Sequence, residues 1–150
     1  MWNEIKTEKD IDDFLEASYN MHDTVLVSAE YTTGCGNTDS GMIIAAPPQS
    51  CRLRLVFDCD WSERIEMLFT GVRHLSMCGF RDNYGNEISG CHLAFHNELM
   101  GKTRDDRLIV WADGYFVPEI HGSSICLKDS DASFVIADGL EWRFVSKEGG

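Results

Sequence analysis

Hydrophobic residues have helical spacing only near the start of this chain. Thr7 is followed three residues later by Asp10, which is the spacing of a helix-capping box. From Ile11 onward, apolar residues recur at i, i+3 and i+4 on one face. Asn20 is a residue type that can end a helix in the left-handed conformation. These signals predict one amphipathic helix over residues 8–19.

After this helix the hydrophobic period changes to two. Within residues 51–59, Leu53, Leu55 and Phe57 alternate with polar or smaller side chains. This alternation is typical of a strand with one buried and one solvent-facing side. The other strand candidates are residues 24–33, 42–46, 64–69, 73–77, 88–96, 108–112, 125–128, 133–137 and 141–146.

Short polar or glycine-containing segments separate these strand candidates. Residues 60–63 predict a turn that pairs the strands on either side of it, whereas Gly71 and the Asp138-Gly139 pair each predict a break between two strands. The absence of long crossover helices argues against a parallel sheet. We therefore predict a single α+β domain over residues 1–150, with one N-terminal helix packed on a mostly antiparallel β sandwich or barrel-like sheet of about eight to nine strands.

The N-terminal sequence and the cysteines together predict the cellular compartment of the protein. The N-terminal segment is acidic, whereas a secretory signal peptide has a basic start and an apolar stretch. No apolar run reaches the roughly 18 residues that span a bilayer. We therefore expect a cytoplasmic protein with no membrane partner, in which the six cysteines are free thiols and act mainly as small hydrophobic residues.

The net charge narrows the choice of partner. Thirteen Lys and Arg against twenty-five Asp and Glu give −12. Nucleic acid is disfavoured as a partner because its binding requires cations that replace the counterions of phosphates. A basic protein is the partner that such a field attracts. The alternative is that the charge only keeps the protein in solution.

A histidine and a carboxylate are adjacent where the helix gives way to the first long strand. The His22-Asp23 pair can act as an oriented base or as part of a metal site. The structural alternative is that His22 caps the helix terminus and Asp23 binds backbone amides of the turn. The chemical role requires a third polar group nearby, such as Glu66, His74 or His92.

Cys91, His92 and His96 form the other candidate cluster. On a strand, Cys91 and His92 point to opposite faces, and His92 and His96 lie about 13 Å apart at about 3.3 Å per residue. Zinc requires ligands that converge on one point, so this spacing argues against a shared metal. The sequence also lacks a nucleophile elbow and a phosphate-binding glycine loop. We predict no catalytic residue, metal or cofactor.

Aromatic residues in predicted turns are candidates for binding. Trp61 lies in the turn of residues 60–63, and Tyr115 and Phe116 lie in an irregular segment. Exposed aromatic side chains dominate the energetic centres of protein interfaces. Trp111 and Trp142 lie within predicted strands and are expected in the core.

The arrangement of these motifs resembles a small family of bacterial proteins. The features that carry the resemblance are the acidic helix, the His22-Asp23 doublet, the strand of residues 51–59 with the Ile65-Glu66 run, and the Trp142-Arg143 pair. Proteins of this kind are similar to the immunity proteins of bacterial polymorphic toxin systems. The resemblance implies a protein that occludes a toxin and has no catalytic residues.

The first functional hypothesis is a non-enzymatic, acidic protein-binding module that occludes a basic toxin. Its predicted binding residues are His22, Asp23, Trp61, Tyr115 and Phe116. The alternative is a small enzyme or ligand-binding protein with a site at His22 and Asp23. A third hypothesis is self-association into a homodimer through an unpaired sheet edge.

Overall fold

The computed structural model describes residues 1–77, 87–97, 99, 107–114 and 133–147. One α-helix and ten strands lie in these ranges, together with two short turns of 3-10 type at Tyr19–Met21 and Pro48–Ser50. In chain order the elements are β1 (Asn3–Glu4), α1 (Glu8–Ala17), β2 (Thr24–Thr32), β3 (Gly36–Asn37), β4 (Ile43–Ile44), β5 (Arg52–Asp58), β6 (Arg64–Ser76), β7 (Glu87–Ile88), β8 (His92–His96), β9 (Leu108–Ala112) and β10 (Phe134–Val145).

Eight of these strands form one antiparallel sheet. Its order is β7-β2-β5-β6-β10-β9-β8, and β1 pairs with the C-terminal half of β10. The sheet is strongly curled, so that it resembles half of a barrel. Strands β3 and β4 form a separate two-stranded ribbon. The predicted α+β class is confirmed, and the barrel-like form of the sheet is the one observed.

The helix α1 covers one face of this sheet. Thr7 and Asp10 form the predicted capping box, in which the Asp10 carboxylate accepts the Thr7 N–H at 2.9 Å. The helix ends at Ala17, two residues earlier than predicted. Its apolar face is buried at Ile11 and Phe14, and the ring of Phe14 meets that of Trp142 edge-on at 5.0 Å. The amphipathic pattern therefore places the helix against β10.

Hydrophobic residues are buried on both faces of the sheet. The larger cluster lies on the helix face and includes Leu53, Leu55, Phe57, Trp111 and Trp142, in agreement with the predicted burial of the two tryptophans. A second cluster lies on the opposite face of the β9 and β10 strands and consists of Leu99, Leu108, Val110, Ala112, Phe134 and Ile136.

Two predicted strand breaks are wrong. Strand β6 continues through Gly71, and β10 continues through Asp138 and Gly139. Their register shifts between Ile136 and Ala137, where β6 has one extra residue, Arg73. Gly71 lies opposite Asp138 next to this β-bulge, so the turn-forming residues lie within two continuous antiparallel strands.

Other strand predictions have mixed outcomes. The predicted strand of residues 88–96 is divided into β7 and β8, and only Ile43–Ile44 of the predicted strand 42–46 is extended. The turn of residues 60–63 joins β5 to β6 as expected. The predicted strand 125–128 lies outside the described residues.

The described cysteines are free thiols. Cys59 is buried, Cys51 and Cys91 are half-buried, and Cys35 is exposed. Burial raises the pKa of the Cys91 thiol to about 12, so this thiol is unreactive at neutral pH. Across the described ranges, no helix is long and apolar enough to cross a membrane.

Candidate functional site

A left-handed turn connects α1 to β2. Tyr19, Asn20, Met21 and Asp23 all have positive φ, at 50°, 55°, 58° and 59°. Each such residue other than glycine costs roughly 1–2 kcal/mol relative to the right-handed conformation. The left-handed conformation was predicted for Asn20 alone, and the structure shows it at Tyr19, Met21 and Asp23 as well. Backbone strain of this kind persists only where the surrounding structure holds it, and it is enriched at functional sites.

Buried contacts hold this turn in place. Met21 is fully buried, and the indole N–H of Trp111 donates to its sulfur at 3.2 Å. The Thr24 hydroxyl donates to the Met21 carbonyl at 2.8 Å. The backbone N–H of Cys91 donates to the Asn20 carbonyl at 2.9 Å. These contacts with the core therefore hold the backbone of the turn in place. The side chains on the other side of the turn face solvent.

Four side chains form the outer surface of this turn, and we call them the turn patch: Tyr19, His22, Asp23 and Trp61. The Tyr19 ring is 68% exposed and meets the Trp61 ring edge-on at 5.0 Å. The Trp61 indole N–H donates to the His22 carbonyl at 2.9 Å, and His22 Nδ1 lies 2.9 Å from Asp23 Oδ2. The patch thus combines two aromatic rings with an exposed histidine–carboxylate pair.

Three of the residues predicted as binding residues therefore come together in one place. His22, Asp23 and Trp61 lie within the turn patch, while Tyr115 and Phe116 lie outside the described residues. His22 ends the short turn Tyr19–Met21 through its backbone N–H, which donates to the Tyr19 carbonyl at 3.0 Å, and the Asp23 carboxylate pairs with the imidazole of His22. Tyr19 was missed by the sequence reasoning. Its only signal was an aromatic residue beside the helix-ending Asn20.

A row of exposed acidic residues lies along α1, the helix that precedes the turn patch. Glu8, Asp12 and Glu16 are exposed and spaced by four residues, so they lie along one face of α1. Residues 1–23 hold seven acids and two lysines. We call Glu8, Asp12 and Glu16 the acidic stripe. Residues 1–23 therefore carry more net negative charge per residue than the chain as a whole.

The opposite face of the sheet is rich in arginine. Glu66 is buried there, and its carboxylate accepts bonds from Arg54 at 3.0 Å and Arg143 at 3.2 Å. The Arg143 guanidinium also stacks over the Trp2 ring at 4.2 Å. Arg54 and Arg143 are partly exposed, whereas Glu66 is not. Two arginines of this face are therefore ion-paired with Glu66, while the acidic stripe on the helix side is exposed, with Glu8 3.9 Å from Arg107.

The alternative of a chemical site at His22 and Asp23 named three polar groups as candidate partners, and each of them makes a described contact away from this pair. Glu66 binds two arginines, His74 stacks on Phe134 and His92 contacts His96. Across the described ranges, no three His, Cys, Asp or Glu side chains form a group that could hold a metal ion.

The predicted separation of His92 and His96 is wrong for their ring atoms. Their Nε2 atoms lie 3.1 Å apart, and the ring centroids lie 5.3 Å apart. Ala94 is between them on the same side of the strand, and its small side chain lets the two rings lean toward each other. Burial lowers the pKa of His92, and the neighbouring His96 lowers it further.

Comparison of the chain with protein-family models, curated proteins and solved structures finds no match. The turn patch, the acidic stripe and the charge distribution are the features of the described residues that bear on function.

Proposed function

We propose that this protein is a non-enzymatic binding module that engages a basic protein through the turn patch and the acidic stripe, in the manner of an immunity protein that occludes a toxin. The observation that carries the proposal is the turn patch itself. It places an exposed Tyr19, whose ring meets that of Trp61 edge-on, beside Asp23 on a strained turn that contacts with the core hold in place. Rigid aromatic anchors next to charged groups are typical of binding hot spots.

The charge distribution supports a basic partner. The exposed acids of the acidic stripe lie on the helix side. On the opposite face Arg54 and Arg143 share Glu66, and Arg64 and Lys147 share Asp58, so two carboxylates face four cations. A surface of one sign accelerates association with a partner of opposite sign. Because salt screens such steering, the association rate should fall as ionic strength rises.

The proposal is tested with matched pairs of variants. Tyr19→Ala removes an exposed tyrosine of the turn patch, and Tyr31→Ala removes an exposed tyrosine elsewhere on the sheet. Asp23→Asn and Asp39→Asn each remove one exposed acid and thus change the net charge equally. The tagged protein and its variants are used to capture partners from its host, and the captured proteins are identified by mass spectrometry. Binding of the purified partner is then measured by surface plasmon resonance.

We expect one basic protein to be captured by the wild type and by the two control variants. Tyr19→Ala should weaken binding about thirtyfold or more, since hot-spot truncations cost about 2 kcal/mol or more. Asp23→Asn should mainly slow association and reduce its dependence on salt. Capture of no basic partner, or equal affinity in Tyr19→Ala and Tyr31→Ala, would contradict the proposal.

A further inference from the structure

An apolar hairpin stands apart from the main sheet and is exposed on both of its faces. Among the described residues, β3 and β4 pair only with each other, with Asn37 opposite Ile43. We call residues 36–44 the ribbon. Met42, Ile43 and Ile44 are 68%, 82% and 50% exposed. Successive residues of a strand point to opposite faces, so neither face of the ribbon is covered by the rest of the protein.

Hydrogen bonds fix the shape of the ribbon at its turn and at its base. In the turn, the Thr38 N–H donates to the Met42 carbonyl at 2.8 Å, and the Met42 N–H donates to Thr38 Oγ1 at 3.0 Å. At the base, the Ala46 N–H donates to the Cys35 sulfur at 3.4 Å. A two-stranded ribbon is marginally stable on its own in water. Pairing of its outer edge with a further strand would therefore stabilise it.

The ribbon and the segments beside it are almost free of charge. Residues 33–51 contain one acid, Asp39, and no Lys or Arg, whereas the whole chain has a net charge of −12. A basic partner is attracted to the acidic stripe more than to this surface. Two copies of one acidic chain repel each other least where each copy is neutral. The ribbon is therefore suited to contact with a second copy of this protein.

We infer that the ribbon joins two copies of this protein into a two-fold dimer, in which β4 of one copy pairs antiparallel with β4 of the other. With Ile43 opposite Ile44 of the second copy, Met42 lies opposite Ala45. All of these residues are apolar and exposed, so each cross-strand pair buries apolar surface. A two-fold axis requires such a self-complementary surface.

The sequence around β4 limits the assembly to a dimer. Pro47 and Pro48 follow the paired segment and lack the N–H that a longer strand would need. The symmetric pairing occupies the β4 edge of both copies, which leaves none for a third copy. The remaining outer edge is β3, whose two residues, Gly36 and Asn37, form too short and polar an edge to recruit another chain.

The test is sedimentation velocity of the full chain at rising protein concentration and at low and high ionic strength. Reducing agent is present throughout, because the exposed thiol of Cys35 is at the base of the ribbon. Ile43→Lys places a charge on the paired edge. Val27→Lys is the matched control, since it places the same charge at a 47% exposed residue of β2 outside the ribbon. Circular dichroism checks that each variant is folded, and Ile43→Thr replaces the lysine variant if that variant is not.

We expect the wild type and Val27→Lys to dimerise as the concentration rises. Ile43→Lys should weaken dimerisation about a hundredfold or more, because each copy loses one buried isoleucine and each loss is worth roughly tenfold or more. Salt should strengthen the dimer, because it screens the repulsion between two chains of net charge −12. Since salt should weaken the binding of a basic protein, the two kinds of association are distinguished by the sign of this effect.

Three results would overturn the inference. One is a monomer at every concentration and ionic strength. Another is equal dimerisation of Ile43→Lys and Val27→Lys, which would place the dimer contact outside the ribbon. The third is a monomeric wild type whose binding to a basic protein is lost in Ile43→Lys, which would assign the ribbon to that partner. The first two results leave the proposed function intact, because the turn patch contains no residue of the ribbon.

Discussion

Replacement of Gly71 by alanine is expected to destabilise the fold strongly, because Gly71 has a left-handed backbone and a close neighbour. Its φ is +64°, and a Cβ added there would lie 2.2 Å from Asp138 Oδ2 and 2.8 Å from Asp138 Cβ. The left-handed conformation alone costs alanine roughly 1–2 kcal/mol. The Asp138 side chain must also move away from its present position.

Movement of Asp138 breaks an ion pair with Arg73. Arg73 Nε donates to Asp138 Oδ1 at 3.1 Å, and Arg73 Nη2 donates to Oδ2 at 3.0 Å. The two side chains are 27% and 29% exposed, so we assign this pair only about 1 kcal/mol. Gly71→Ala should therefore lower the free energy of unfolding by about 2 to 3 kcal/mol.

The assay is urea unfolding at 25 °C, followed by tryptophan fluorescence, for Gly71→Ala in two backgrounds. Asp138→Gly removes the three atoms that lie nearest to the new methyl group, which all belong to the Asp138 side chain. In that background Gly71→Ala should cost only the roughly 1–2 kcal/mol of its backbone conformation. An equal cost in both backgrounds would refute the proposed clash with Asp138. A cost near zero in the wild type would refute the left-handed conformation of Gly71.

Three further predictions concern the thiols, the buried histidine and the helix cap. Iodoacetamide should modify Cys35 faster than Cys91, as measured by peptide mass spectrometry, because an amide N–H lowers the pKa of exposed Cys35 and burial raises that of Cys91 to about 12. Equal rates would contradict this order. Burial lowers the pKa of His74 from its ordinary value of 6.5, so below that pH the unfolded chain binds more protons and stability falls as the pH falls. Urea midpoints between pH 7.5 and 5.5 should thus change less in His74→Phe than in the wild type, and an unaltered slope would count against the buried neutral ring. Thr7→Ala removes the N-cap and should cost about 1 kcal/mol in the same assay, whereas an unchanged midpoint would show that the capping box contributes little.

Local patterns in the sequence were sufficient to predict several elements of the fold. The capping box at Thr7 and the apolar spacing that begins at Ile11 place α1 to within two residues of its end. The alternation of Leu53, Leu55 and Phe57 identifies β5 and the side that it buries. These signals succeed because they depend on backbone period and on hydrogen bonds between residues close in the chain.

The tertiary structure decided how turn-forming residues are used. Gly71 and the Asp138-Gly139 pair have the composition of turns, yet they lie opposite each other in two long strands. Such residues form a hairpin turn only where the two segments beside them pair with each other. Here β6 and β10 instead pair along their full length, so these residues lie within the strands, next to the bulge at Arg73.

The turn patch shows the same division between sequence and tertiary structure. The sequence indicated His22, Asp23 and Trp61 separately, but nothing local brings Trp61 to a turn 39 residues earlier in the chain. Likewise, spacing along a strand fixes the Cα separation of His92 and His96, but not how far their side chains lean. Periodicity therefore determined which residues form the helix, the strands and the core. Only the packing of the curled sheet determined which distant side chains meet, because contacts between remote segments depend on strand order and register.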